Sequence, residues 1–175
     1  VVLAFVFTDW SRDLVALGVV GVRERLLDGQ VDLRFEVPWT TLGGYLEHLE
    51  KQGVSTNVAS FVGATTVRVH EVGYDNRTPS PEELDRMRAL VDQAMREGAL
   101  GVGSSLPYTP AVFASTEELV ALAEVAAKHG GMYISHVRDE GGQLLESLDE
   151  FLDIVRRSGA SGEVYHLKAS GKANW

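Results

Sequence analysis

The sequence predicts an α/β fold with parallel strands, on three observations. Capped amphipathic helices recur through its second half, short β-favouring apolar segments separate them, and polar residues collect where those segments end. The opening "VVLAFVF" is apolar throughout and is followed by Thr8 and Asp9. It reads as a buried strand, too short for a membrane span and without the basic flank of a signal peptide. Residues 14–27 can form a helix interrupted by Gly18 and Gly21, and "TTLGGYLEHLEKQG" reads as a second helix whose start the pattern leaves open. "VASFVG", residues 58–63, is a strand candidate. "SPEELDRMRALVDQAMREG" then sets Ser80 as N-cap, Pro81 at the first helical position and Glu83 in a capping box. Leu84, Met87, Leu90, Val91, Ala94 and Met95 share one face, and Gly98 ends the helix.

The same grammar repeats downstream. After the strand candidate "ALGVGSS" comes "STEELVALAEVAAKHGG", with Ser115 and Glu118 as the box, Leu119, Leu122, Ala123 and Ala126 as the stripe and Gly130 as terminator. "MYISH" is a strand from 132. "QLLESLDEFLDIVRRSG" is a helix with Leu144, Leu145, Leu148, Phe151, Leu152 and Val155 predicted inward, and with Arg156 and Arg157 suiting the dipole at its carboxyl end. "EVYHLK", from 163, is the last strand. The resulting order is β-α-β-α-β-α-β, and with no Pro/Ser linker the expectation is one domain over residues 1–175.

Composition narrows the function. The 175 residues are 45% hydrophobic and 23% charged, enough apolar material for a packed core. A formal charge of -9 argues against nucleic acid or an anionic membrane surface as partner, since both require clustered Lys and Arg, and leaves small molecules. Without cysteine there is no disulfide, no thiolate nucleophile and no cysteine metal site. Composition leaves the compartment open, and a cytoplasmic location is the working expectation. The chain begins at Val1 and stops at Trp175 just past a strand-like segment, so both ends read as cut and the chain as a fragment.

Two architectures fit, a doubly wound sheet and a (β/α)8 barrel, and both gather ligands at the carboxyl ends of strands. Ser104, Ser105 and Tyr108 follow one strand, His136 and Arg138 end the next, and His166 and Lys168 end the one after. No G-x-G-x-x-G follows a strand and no G-x-x-x-x-G-K-[ST] is present, so nucleotide phosphate binding has no motif behind it and the barrel gains. Of the five histidines, His48 and His129 fall in helices or their ends and His70 in a loop or strand exit; all three read as structural or solvated. His136 and His166 would converge on one mouth, where neutral imidazole is a good zinc ligand. Two histidines do not complete a catalytic zinc site, which needs three protein ligands and an open position.

The stretches "PWTTLGGYLEHLEKQGVSTNVASFVGATTVR", "GALGVGSSLPYTP", "ASTEELVALAEVAAKHGGMYISHVRDEG" and "EVYHLKASGKANW" together resemble the central barrel segment of the N-acyl-D-amino-acid deacylases, the D-aminoacylase branch of the amidohydrolase superfamily. The resemblance covers about residues 37–175, in the family's motif order, and leaves residues 1–20 poorly matched. It implies part of a (β/α)8 TIM barrel of the metal-dependent hydrolase type, completed by the remainder of the same barrel. The activity it implies is zinc-dependent cleavage of an N-acyl-D-amino acid to a carboxylate and a free D-amino acid, with one or two Zn2+ ions. His136, in H-[MIV]-R-[DS]-E, and His166, in H-x-K, fall on metal ligands, so the imidazole at the strand end would hold the metal that activates water. Tyr108 falls on the tyrosine near the scissile carbonyl, and Lys168 on the lysine that pairs with the substrate carboxylate. Arg138 belongs to the first motif, as a substrate contact or as a brace for Asp139 and Glu140.

The departures are specific. No His-x-His occurs, the bridging cysteine or glutamate expected upstream is absent, and the aspartate of the last strand, the usual general base, would lie outside this chain. Two other readings stay open: a cyclic amidohydrolase of the dihydroorotase or hydantoinase kind, and a non-catalytic barrel module.

Overall fold

The structure, a computed structural model, describes residues 38–175. The predicted opening strand and the helix over 14–27 lie outside the described residues. Helix α1, Leu42–Gln52, starts where the Thr41 side chain accepts a hydrogen bond from the Gly44 N–H, and it ends at Gly53 in the left-handed conformation (φ 74°). Strand β1, Val62–Gly63, leads into helix α2, Ala64–Glu71. Helix α3, Pro81–Arg96, has the full predicted capping box. Ser80 Oγ accepts from the Glu83 N–H, and the Glu83 carboxylate accepts from the Ser80 N–H at 2.7 Å. Strand β2, Gly101–Ser105, helix α4, Thr116–Lys128, strand β3, Met132–His136, helix α5, Leu144–Ser158, and strand β4, Ser161–Val164, complete the order, with single 3-10 turns at Ala111–Phe113 and Lys172–Asn174.

The four strands form one parallel sheet in the order β1-β2-β3-β4. Strands laid down in sequence order, each joined to the next through helices, are the arrangement of a barrel wall. A doubly wound sheet reverses its order at a switch point, and none occurs among the described strands. Side-chain alternation then assigns the two faces. Tyr133 and Ser135 face the helices, where Tyr133 is fully buried and stacks on Phe151 of α5 at 5.8 Å. Ser104 joins them, 2.8 Å from Tyr133 Oη and 2.9 Å from Ser135 Oγ, so it belongs to the sheet–helix layer rather than to the ligand-binding end. Burial pushes the Tyr133 phenol up to about 12. On the opposite face are Gly103, Ile134 and His136. A Cβ on Gly103 would come within 2.7 Å of Tyr165 Oη, so glycine there makes room for the tyrosine. At Gly101 (φ 154°) a Cβ would lie 1.9 Å from the Met132 carbonyl oxygen, so only glycine lets β2 and β3 approach.

The core lies between this sheet and its helices. Met87, Val91, Ala94 and Met95 of α3 and Leu119, Leu122, Ala123 and Ala126 of α4 are buried in it, as their spacing predicts. Helix α5 departs from expectation. Ser147, Phe151, Ile154 and Ser158 face inward, Leu144, Leu148 and Val155 flank them, and Leu145 and Leu152 stand 73% and 49% exposed. The apolar arc of α5 is wider than the face the sheet covers, so a stripe read from residue type alone is too broad.

Three further expectations are corrected. The second capping box is half formed: Ser115 accepts from the Glu118 N–H at 3.2 Å, but the Glu118 carboxylate turns into the core to meet Arg68 at 2.5 Å. Arg68 is fully buried and also donates to the carbonyls of Asp75 and Arg77, tying α2, α4 and the turn before α3 together. His70 lies in α2 rather than in a loop, 2.8 Å from Glu71. The last strand runs over Ser161–Val164, earlier than the predicted 163–168, because β3 stops at His136 and the final ladder contact is the Tyr165 N–H on the Ser135 carbonyl.

Candidate metal and carboxylate-binding site

His136 is the last residue of β3, and hydrogen bonding of that strand to β2 and β4 fixes its Cα. His166 and Lys168 follow β4 by two and four residues, in the loop rather than on an extended strand end. A hydrogen bond of 2.6 Å from the Ser170 N–H to the Glu140 carbonyl joins that loop to the one after β3. The two imidazole rings meet edge-on with centroids 4.6 Å apart, and the Tyr108 ring stands edge-on to His136 at 5.6 Å. Four of the residues singled out from sequence, Tyr108, His136, His166 and Lys168, therefore come together at the carboxyl ends of β2, β3 and β4.

Glu140 sits at the centre of this group. Its Oε1 lies 3.1 Å from His136 Nε2 and 2.9 Å from His166 Nδ1, and its Oε2 lies 3.0 Å from Lys168 Nζ. The glutamate side chain is 10% exposed, and its buried Oε1 lies against both rings without a well-formed hydrogen bond among the described residues. A buried carboxylate oxygen without a proton donor, beside two imidazole nitrogens, is a place for a cation. The spacing also fits: ligand atoms about 2.0–2.1 Å from a tetrahedral zinc stand roughly 3.3 Å apart. His136, Glu140 and His166 thus offer two nitrogens and one oxygen, all within 4.8 Å of one another, that could hold a metal ion.

Electrostatics favour the metal-binding protonation states. Burial lowers the His136 pKa against the opposing pull of Glu140, keeping the imidazole neutral and able to donate its lone pair. Burial opposes ionisation of Glu140, but the Lys168 ammonium, joined by any positive charge on the imidazoles when they are protonated, outweighs it and holds the carboxyl below its ordinary range.

Arg138 does not join the group. Its Nε and Nη2 grip the two oxygens of Glu150 at 2.8 Å each, and Nη1 and Nη2 donate to the carbonyls of Val112 and Ala114 at 2.9 Å. It braces neither Asp139 nor Glu140. Asp139 instead accepts from the Gly141 and Gln143 N–H groups and shapes the turn into α5. His48 lies against Trp39 with tilted rings and His129 bonds Asp92 at 2.8 Å, both outside the site as expected. Sequence reasoning missed Glu140 as a member of the site. The available signal was its position four residues after His136 at the start of a Gly-rich turn, which brings the carboxylate back over the strand end.

No family model matches the chain. Curated relatives include the D-aminoacylase of Alcaligenes xylosoxydans xylosoxydans, 33% identical over 150 residues, which are 86% of this chain and 30% of the relative. The N-acyl-D-glutamate deacylase of the same organism is 35% identical over 131 residues, 75% of this chain and 27% of the relative. Among solved structures, a D-aminoacylase described as defining a novel subset of amidohydrolases superposes with a TM-score of 0.76 at 33% identity, over 84% of this chain and 32% of that one. The N-acyl-D-glutamate deacylase of Bordetella bronchiseptica, complexed with zinc and a phosphonate mimic of the tetrahedral intermediate, gives a TM-score of 0.75 at 31% identity, over 81% and 30% of the two chains. A further D-aminoacylase neighbour has a binuclear metal centre. The chain spans about 30% of the length of these deacylase relatives.

A parallel sheet in sequence order, likeness to these structures and a cluster of side chains that could hold a metal ion beyond the strand ends define a segment of an amidohydrolase barrel. Over the matched stretch, the chain belongs to the D-aminoacylase (N-acyl-D-amino-acid deacylase) family.

Proposed function

We propose that this chain supplies the metal-binding and carboxylate-binding part of a zinc-dependent hydrolase that cleaves N-acyl-D-amino acids to a carboxylate and a free D-amino acid. The observation that carries the reading is the convergence of His136, Glu140 and His166 with Lys168 beside them. Bound zinc would supply Lewis-acid chemistry, polarising an amide carbonyl and acidifying a water. The chain's own residues do the rest. His136 and His166, with Glu140, are the donors to the ion. Lys168, a compact cation next to that group, is suited to the α-carboxylate that every N-acyl amino acid carries. Tyr108, exposed at the mouth and edge-on to His136, is within reach of a substrate held there. No general base is assigned among the described residues, and an aspartate from the remainder of the barrel is the expected one.

The proposed partner is a small molecule, not nucleic acid or membrane, and the proposed compartment is the cytoplasm. No helix among the described residues is long and apolar enough to cross a membrane. The test is release of free amino acid from N-acetyl-D- and N-acetyl-L-amino acids by the intact protein, before and after chelation and zinc replacement. Zinc-restored release from the D series supports the reading. Ring opening of cyclic amides, with no release from linear ones, overturns it.

A further inference from the structure

Arg138 is two residues from His136, yet its hydrogen bonds run to another part of the mouth. The β2–α4 loop carries Tyr108 and is held by its own backbone: the Tyr108 N–H bonds the Ser105 carbonyl, the Val112 N–H bonds the Tyr108 carbonyl at 2.9 Å, and the Ala114 N–H bonds the Ala111 carbonyl. Arg138 donates to the free side of the same loop, at the carbonyls of Val112 and Ala114. Its guanidinium is therefore linked to the Tyr108 backbone through two hydrogen bonds with Val112 between them. Glu150 of α5 completes the clasp, taking two parallel bonds from Arg138 and a third, of 2.8 Å, from Thr116 Oγ1 at the first turn of α4. Arg138 outweighs the burial of Glu150 and holds its carboxyl below the ordinary range, so the pair is charged on both sides.

This geometry conflicts with a substrate-binding role. Four bonds already occupy the fork of the guanidinium, and a carboxylate arriving from solution would have to displace Glu150 from a half-buried, bidentate, charge-assisted contact. We propose that Arg138 is a positioning residue: with Glu150 it ties the Tyr108 loop to the end of β3, fixing the tyrosine relative to His136, and it does not contact substrate. The role assigned to Tyr108 rests on the deacylase reading above.

The test uses the intact protein with Arg138→Met, Arg138→Lys and Glu150→Gln, read by amide hydrogen exchange over residues 106–115 and by kinetics with Tyr108→Phe as partner. Losing the clasp should speed exchange at Val112, Phe113 and Ala114 by about tenfold or more, with Arg138→Lys intermediate and zinc content unchanged. The fall in kcat should match that of Tyr108→Phe, with little change in KM, and the Arg138→Met/Tyr108→Phe double variant should lose no more than about twofold beyond either single one. Unchanged loop exchange together with a raised KM in Arg138→Met, and no effect in Glu150→Gln, would overturn the proposal in favour of direct substrate contact. Fully additive losses would also overturn it. Should Arg138→Met fail to fold, Glu150→Gln, nearly isosteric, carries the same comparison. A wild-type protein without deacylase activity would remove the functional reading, while the exchange measurement would still decide the clasp.

Discussion

Replacing Lys168 with Met in the intact protein removes the cation proposed to hold the substrate carboxylate while keeping most of the side chain's length. The structure bounds the effect. The lysine side chain is 54% exposed, and its ammonium lies 3.0 Å from Glu140, itself 10% exposed. Truncating a fully buried charge pair typically costs about 2–5 kcal/mol, and an exposed pair contributes roughly 0.2–1 kcal/mol. A half-exposed ammonium falls between these limits, at about 1–2 kcal/mol, or roughly 5–30-fold in kcat/KM. The assay compares an N-acetyl-D-amino acid with its α-carboxamide analogue, alongside zinc analysis of each preparation. The carboxylate substrate should lose that factor, the carboxamide less than about twofold, and bound zinc should stay at the wild-type level. Equal penalties for the two substrates would refute the assignment of Lys168 as the carboxylate anchor, and zinc loss would show that it acts through Glu140 instead.

Two further outcomes follow from the frame around the site. Glu118→Ala strands the fully buried Arg68 guanidinium without its carboxylate and should cost about 3–5 kcal/mol in denaturant unfolding. The Arg68→Met/Glu118→Leu pair should recover much of this, except for the bonds to the Asp75 and Arg77 carbonyls. Glu83 is held down to about 2, from 4.5, first by its hydrogen bond from Arg77 and then by the Ser80 N–H. Its folded-state pKa is depressed, so its contribution is complete above about pH 4.5 and disappears as pH falls through about 2. Glu83→Gln should flatten the acid limb of stability within that window and leave the slope above it unchanged, as read from unfolding midpoints across pH.

The helices and the parallel order were legible because their signals are local. Ser80, Pro81 and Glu83 specify a helix start wherever they occur, and Met87, Val91 and Ala94 fall on one face by spacing alone. That the two histidines would meet was legible because residues at the carboxyl end of a strand, like His136, and just past one, like His166, share one mouth of an α/β fold. What stayed hidden depends on partners distant in sequence. Glu118 looks like a capping residue until Arg68, fifty positions earlier, draws it into the core. Arg138 looks like part of the site through its neighbourhood to His136, yet Glu150 and two loop carbonyls define its contacts. Glu140 joins the site only because the turn after β3 folds back over the strand end, and no periodicity records a turn's direction. The outward position of Leu145 and Leu152 likewise depends on how wide a face the sheet presents to α5.

The central claim, that His136, Glu140 and His166 form one metal centre, is tested most directly by zinc content per chain in the intact protein and in His136→Ala, His166→Ala, Glu140→Ala and His129→Ala. His129 bonds Asp92 at the end of α4, away from the site, so its variant should keep full occupancy. The account predicts that His136→Ala and His166→Ala retain less than about a tenth of the zinc under dialysis against a weak chelator, and that Glu140→Ala also falls clearly below wild type. Full occupancy in both histidine variants would contradict it.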